Sequence, residues 1–579
     1  MSGGRKIPAH VTYFRHRSTP FASGWEASFA ARKLFVLAFV SYETAFAPCG
    51  GIAAVLARLP AHVATQARQP VVVFTPYHHR IPKTRDVDVQ WIGAVGVPFD
   101  GRTVRVHVLR QDGSAPHYLL RPEDLQFFTG TRHPYDLHPD TLYRDSVFFG
   151  AAVIQALRVV APGAPWTLLL QDWESSTVAI AAAGQPARPR MFVTLHNSYD
   201  HEAGADQLRH WRLVPQACPG ETVLQRALSV CEWPVFTVSQ QFARDLIDDP
   251  YQTRVLAPHL ASWLGSRLVG IDNGPFTDLA VPTELLTAAE AGRFQPLLAW
   301  KQEHQATFLK ALGQLTPSVE RPVWGDLSQF GRGQTPLFVM AGRDDCRQKG
   351  YDVAACAAER LLTAGHEARF VFFPIPGDEG LAGLSFLREL AERWPTHVLA
   401  FPFRFAEGFA GALRGATCGI MPSLYEPFGM ANEFYLNGTL GIGRATGGVL
   451  QQIVPDPQAK STSEAVRRRT AGIHAATANP TGFLFHEPDG LATEVADWQG
   501  INATGYLDPT QELNRVEDRL RFPLFESMVS ELTFALEDAI TLAGEPAEYA
   551  HRLVAGIRHL EQGFSWDRAA QQYLRYAGG

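Results

Sequence analysis

Two segments of the chain pair charged side chains with apolar strands. They are Phe338-Val-Met-Ala-Gly-Arg-Asp-Asp-Cys-Arg-Gln-Lys-Gly350 and Met421-Pro-Ser-Leu-Tyr-Glu-Pro-Phe-Gly429. Each begins as a buried-strand run and ends in a polar loop that opens a helix. The first loop carries Arg343 and Lys349, the second Glu426. Two cations after one strand and a carboxylate after another suit a sugar diphosphate: the cations neutralise phosphate, and the carboxylate accepts hydrogen bonds from hydroxyls. The helix expected from Tyr351 adds free N–H groups and a positive end beside Lys349. Pro427 sets the turn after Glu426, and Gly429 lets backbone approach a ligand closely.

The elements that must position these residues follow from hydrophobic patterning. Leu34–Val40, Val71–Phe74, Trp166–Leu170, Phe192–Leu195 and Val235–Val238 are continuous apolar runs, the pattern of strands buried on both faces. Helical patterns such as Ile52–Ala64 and Asp145–Val160 lie between them, so the chain reads as βαβ units with parallel sheets. Thr103–Leu109 alternates instead, as a strand with one wet face does. A second series runs through Leu337–Ala341, Arg369–Phe373, His397–Phe401, Cys418–Met421 and Gly441–Arg444. Between the two series, Pro317–Gly333 lapses into Pro, Gly and polar residues, which places the domain boundary there. Both charged loops would then lie at carboxyl ends of parallel strands, where open α/β sheets bind ligands. The segment Ala459–Asn479, with Arg467, Arg468 and Arg469, reads as a surface excursion.

At 579 residues the chain is too long for one core. A net charge of −6, from 52 basic and 58 acidic residues, argues against a nucleic-acid binder driven by bulk charge. No apolar run approaches ~18 residues, so no membrane span is expected. The six cysteines show no C-x-x-C spacing and read as buried or free thiols in a reducing, cytoplasmic setting. Residues 1–29 lack an apolar signal core and read as an extension.

The motifs resemble those of GT-B glycosyltransferases, and most closely the glycogen and starch synthases. Ser41-Tyr-Glu…Cys49-Gly-Gly-Ile52 is similar to their N-terminal glycine loop, Gln171-Asp-Trp173 to their His-Asp-Trp, and Val193-Thr-Leu-His-Asn197 to Thr-x-His-Asn. Phe236-Thr-Val-Ser239, Asp272-Asn-Gly274, Arg343…Lys349-Gly350, Glu426-Pro-Phe-Gly429, Arg444-Ala-Thr-Gly-Gly448, Thr481-Gly-Phe483 and Phe564-Ser-Trp-Asp567 follow in the family's order. The resemblance implies an α/β GT-B fold, two Rossmann-like domains facing each other across a catalytic cleft. It implies an acceptor domain over 30–320, a nucleotide-sugar domain over 330–555, and a last helix in 556–579 that crosses back to the first domain.

The resemblance also implies roles. His196, Arg343, Lys349 and Glu426 are the catalytic candidates. Gly50, Gly51, Phe428, Gly429, Met430, Glu433, Thr446 and Gly447 are candidates for the donor, and Asp172 and Asn273 for the acceptor. The implied reaction is retaining transfer of a hexose from ADP- or UDP-glucose to an α-glucan, with the nucleotide sugar as co-substrate and no metal or other cofactor. A small-molecule acceptor, or a glucan-binding protein with a decayed site, are the alternatives.

The chain departs from the family at identifiable places. Pro48 stands where the glycine loop usually carries Lys, removing one cation. Gln171 and Glu174 replace histidines flanking the Asp. The Arg343–Lys349 spacing is one residue longer than in bacterial glycogen synthases and matches the fungal and animal ones, so Arg347 could share the phosphate role. A second Glu usual eight residues after the first is Phe434 here, with Glu433 one place early.

Overall fold

Apolar runs become the central strands of two sheets. The computed structural model describes residues 35–81, 87–213, 215–331, 335–377, 379–507 and 515–578; the extension over 1–29 lies outside them. The first sheet comprises β1 (Val36–Ser41), β2 (Val71–Pro76), β3 (Gln90–Phe99), β4 (Arg102–Gln111), β5 (His117–Pro122), β6 (Trp166–Gln171), β7 (Arg190–Leu195), β8 (Val235–Thr237) and β9 (Leu268–Gly270). Its order is β3-β4-β5-β2-β1-β6-β7-β8-β9. β5, β2, β1, β6, β7, β8 and β9 run parallel, while β4 pairs antiparallel with both β3 and β5. The alternation seen in β4 is real: Val104, Val106 and Val108 are buried, while Thr103 and Arg105 face water.

The second sheet comprises β10 (Leu337–Arg343), β11 (Arg369–Ile375), β12 (Val398–Ala400), β13 (Cys418–Met421), β14 (Leu440–Arg444) and β15 (Phe483–Phe485), ordered β12-β11-β10-β13-β14-β15. All its pairings are parallel. Because β10 and β13 are neighbours, the loops after them must emerge side by side.

Ten helices matter here: α1 (Gly51–Gln66), α2 (Pro139–Val160), α3 (Asp172–Ala182), α4 (Gln240–Asp248), α5 (Gln295–Gln314), α6 (Tyr351–Thr363), α7 (Ala431–Leu436), α8 (Pro523–Ala543), α9 (Pro546–Gly563) and α10 (Trp566–Ala577). α5 corrects the expected boundary. Its Phe308 and Leu312 pack with Leu337, Val339, Val371 and Leu399 of the second sheet, and Lys301 donates to the carbonyls of Arg414 (3.1 Å) and Ala416 (2.7 Å). The chain therefore joins the second unit before residue 320. Of the Pro- and Gly-rich stretch after α5, the described residues 317–331 form a strap on that unit, pinned where Trp324 bridges Ala400. Composition registered its irregular backbone, not a change of core.

α8 packs on α6 in the second unit, and α10 returns to the first. Ala569, Ala570 and Tyr573 of α10 share a core with Leu37, Phe39, Leu59 and Phe236. Ser565 caps α10 at the Asp567 amide (3.2 Å), and the Trp566 indole donates to the Pro275 carbonyl (2.7 Å). The 459–479 segment is less peripheral than its composition implies. It holds a short helix, Glu464–Thr470, that buries Ala465 and Val466, and Arg468 and Arg469 both pair with Asp489 (2.8 and 3.0 Å).

Candidate active site

In the second unit, β10 delivers Arg343 and β13 delivers the loop of Glu426. The two loops are joined by the Leu424 amide donating to the Gln348 carbonyl (2.7 Å). Gly350 lies at φ 68° at the start of α6, and a side chain there would strike the Pro422 carbonyl; only glycine allows the loops this close. The result places Lys349 Nζ 2.7 Å from Glu426 Oε2. Ser423 Oγ donates to the same oxygen (2.9 Å). Glu426 is buried and caps no helix, since α7 has no side-chain cap. Arg343 Nη2 is 3.3 Å from Asp345 Oδ2.

The close approach continues. Gly448 N–H donates to the Glu426 carbonyl (3.1 Å), and Gly447, at φ 47°, abuts that same carbonyl. The loops containing Phe428–Met430 and Thr446–Gly448 are thus stacked backbone to backbone. Not all of their groups are open to a donor. Gly447 N–H (2.7 Å) and Thr446 Oγ1 (3.2 Å) both donate to Asp245 Oδ2 of α4, a carboxylate from the first unit. Burial, then Asp249, push Asp245 up to about 6. The Met430 amide is directed at the Met421 sulfur (3.3 Å). Glu433, on α7, is raised to about 7 by burial, with the Lys349 charge opposing.

In the first unit, adjacent strands β1, β6 and β7 end together; Ser41 is in register with Gln171, and Gln171 with Thr194. Beyond them sit Glu43, Asp172 and His196. Glu43 changes the reading of the glycine loop. Its Oε1 accepts from the amides of Cys49 (2.9 Å), Gly50 (2.7 Å) and Ala53 (3.2 Å), and its Oε2 from Tyr135 (3.2 Å). The Gly50 amide expected to meet a diphosphate is therefore satisfied internally. With Pro48 in place of a cation, the positive end of α1 is filled by the chain's own carboxylate. Burial raises the Glu43 pKa against those amides.

Asp172, the acceptor candidate, is also bonded within the chain. It lies at φ 58° and is buried. Its Oδ1 accepts the His196 amide (2.6 Å), and its Oδ2 accepts from Asn197 Nδ2 (2.8 Å). It therefore holds the turn after β7. Burial pushes it up to about 7, and Glu174 is raised by burial and by Asp172. Asn273 is likewise buried. Its amide donates to the Val238 carbonyl (3.1 Å), and neighbouring Gly274 lies against Trp566 of α10. That motif ties α10 to the first sheet. His196 is half-buried, its Nε2 2.8 Å from Gln171 Oε1, and burial holds it neutral with a pKa of about 3.

The two edges meet. Tyr199 of the β7 turn donates to Asp345 Oδ2 (3.0 Å), the oxygen nearest Arg343. Tyr251 donates to the Arg347 carbonyl (2.7 Å), Ser239 to the Pro427 carbonyl (2.5 Å), and the Gln241 amide to Gln451 Oε1 (2.9 Å). Sequence reasoning assigned no role to Tyr199, Asp245 or Asp345. Their partners are 146 and 202 residues away, beyond any local pattern.

The same architecture occurs in a known protein. The solved catalytic domain of starch synthase IV from Arabidopsis thaliana, bound to ADP and acarbose, superposes with a TM-score of 0.66 at 20% identity, covering 94% of this chain and 98% of that one. Residues 36–261 match the family model for the starch synthase catalytic domain. The chain is a GT-B glycosyltransferase resembling the glycogen and starch synthases. Residues 296–433 match a model for family 4 glycosyltransferases in conflict systems. The glycogen synthase of Deinococcus deserti is 28% identical over 443 residues, 73% of this chain and 86% of its own length. That of Thioalkalivibrio sulfidiphilus is 25% identical over 549 residues, 91% and 95% of the two chains. Among the described residues, no helix of this glycosyltransferase is long and apolar enough to cross a membrane.

Proposed function

We propose that this glycosyltransferase moves a glucosyl unit from ADP- or UDP-glucose to the end of an α-glucan, with retention at the anomeric carbon. The observation that carries the reading is the Lys349–Glu426 contact of 2.7 Å at the tips of adjacent strands, with Arg343 on the same rim. Donor diphosphate draws Lys349 and Arg343 away from Glu426 and Asp345. The carboxylate of Glu426, released from Lys349, then accepts hydrogen bonds from the sugar's hydroxyls. The backbone of Phe428–Met430 and of Thr446–Gly448 walls the sugar, and Glu433 lies toward the nucleotide. His196 faces the sugar from the opposite edge.

In the proposed step an acceptor hydroxyl attacks the anomeric carbon from the face the diphosphate leaves. The carbon–oxygen bond to diphosphate breaks as the new glycosidic bond forms. The hydroxyl proton passes to a departing phosphate oxygen. Arg343 and Lys349 stabilise the charge that collects there, commonly a large catalytic term, while Glu426 and His196 hold the ring in place. Support for a glucan acceptor comes from the glycogen synthase relatives. The nucleotide sugar is a co-substrate, and the proposal requires no resident cofactor.

The test is incubation with ADP- and UDP-sugars, with and without glycogen or maltooligosaccharide primers, following nucleotide release and product length. Primer-dependent release with elongation is expected. Release that depends only on a small acceptor would replace the polymer in this reading. A folded sample that binds neither ADP nor UDP would overturn it in favour of a binding protein.

A further inference from the structure

The residue that decides what His196 can offer a substrate is Gln171, at the end of β6. Its side chain is buried, and its Nε2 donates to the Leu169 carbonyl (3.0 Å). A carbonyl only accepts, so this contact fixes which end of the amide is which. The amide oxygen must therefore face His196, whose Nε2 lies 2.8 Å away. That oxygen also only accepts, so the proton of the imidazole must sit on Nε2. The remaining nitrogen, Nδ1, is left with a bare lone pair. Nδ1 has no hydrogen-bond partner among the described residues, and it is not one of the enclosed polar atoms. The His196 amide is anchored on Asp172 Oδ1 (2.6 Å), which fixes the backbone from which the ring projects.

We propose that Gln171 is a positioning residue that locks His196 as a neutral hydrogen-bond acceptor, so that its Nδ1 receives a hydroxyl of the transferred sugar and turns away phosphate. This deepens, and rests on, the glucosyl-transfer reading above. A lone pair at Nδ1 attracts an O–H and repels the oxygens of a diphosphate. The facing edge of the cleft thus contributes selection for the sugar, while the charge of the diphosphate is left to Arg343 and Lys349. A histidine at position 171, usual in the family, has no obligate acceptor end and so does not impose this tautomer by itself.

The full-length protein, labelled with 15N-histidine, tests the lock without any ligand. The signal of His196, one of 20 histidines, is identified by its loss in His196→Ala. The wild type should show a single Nε2–H tautomer. Gln171→Leu should populate both tautomers and lower kcat/KM for the nucleotide glucose used by the wild type by roughly tenfold, the scale of one well-placed hydrogen bond. The KM for primer should not change. A wild-type His196 protonated on Nδ1, or a mixture of tautomers, would overturn the proposal, even if no Gln171 variant folds. So would a Gln171→Leu enzyme with mixed tautomers and undiminished transfer. If His196→Ala itself transfers at the wild-type rate, the placing of His196 against the sugar is wrong. That failure is distinct, because the wild-type tautomer signal would still be the single Nε2–H form.

Discussion

Replacing Lys349 with methionine removes one of the two cations proposed to meet the diphosphate while keeping the stem of the side chain. An ammonium about 4 Å from a phosphate oxygen, at an effective dielectric near 20, gains about 4 kcal/mol. Part of that is already spent in the free protein, where Lys349 pairs with Glu426 at 2.7 Å and its side chain is 27% exposed. The net loss on substitution is therefore about 3 kcal/mol, which corresponds to a rate decrease of about 10²-fold. Stability should change less. Glu426 keeps its hydrogen bond from Ser423, so losing the ammonium leaves a carboxylate with one partner, at a cost of about 1–3 kcal/mol. The assay is initial-rate transfer from ADP- and UDP-glucose to glycogen, alongside urea unfolding of the same samples. A double-mutant cycle with Glu426→Gln then measures the coupling, and the two single losses should not add, because both residues act on one bound donor. Near-normal turnover by Lys349→Met, in a protein as stable as the wild type, would refute the placing of the diphosphate on this rim.

Three further substitutions test the surrounding charges. Asp345→Asn removes the anion beside Arg343 and weakens the Tyr199 contact, so calorimetry should find ADP or UDP bound more tightly, by about tenfold; weaker binding would count against a placeholder role. Glu433 in the folded protein keeps its proton to about 7, whereas in the unfolded chain it loses it near pH ~4.3. The folded state binds the extra proton across that window, so stability falls as pH rises from ~4.3 to about 7, and Glu433→Gln should flatten that decline in urea titrations. An unchanged slope would mean that Glu433 ionises normally. Glu43→Ala strands the amides of Cys49, Gly50 and Ala53 and should cost about 1–2 kcal/mol of unfolding free energy; no shift in the denaturation midpoint would show that the carboxylate is not needed to seat α1.

Much of the architecture is written locally. Strands buried on both faces are dominated by apolar residues, so β1, β2, β6, β7 and the core strands of the second sheet announce themselves as apolar runs. Strands that pay less attention to that rule stay hidden. β3 is partly exposed and includes Gly93, Gly96 and Pro98, and the three residues of β9 are only half-buried. The charged rim was legible for the same local reason: Arg343, Lys349 and Glu426 follow strands directly, and parallel neighbours must release their loops together. What each polar group does there was not legible. The glycines of both loops have the sequence of anion-binding turns, yet tertiary structure brings Glu43 to Gly50 and Asp245 to Gly447. A backbone N–H carries no mark of its partner, and a carboxylate arriving from another element satisfies it as well as a phosphate does. Which face α5 covers was decided the same way. Its buried side chains, Leu297, Phe308 and Leu312, fit either core by chemistry, and only the packing against Leu337 and Val371 assigns it to the second sheet. Sequence determines which groups seek burial or a partner; the assembled sheets determine which partner is within reach.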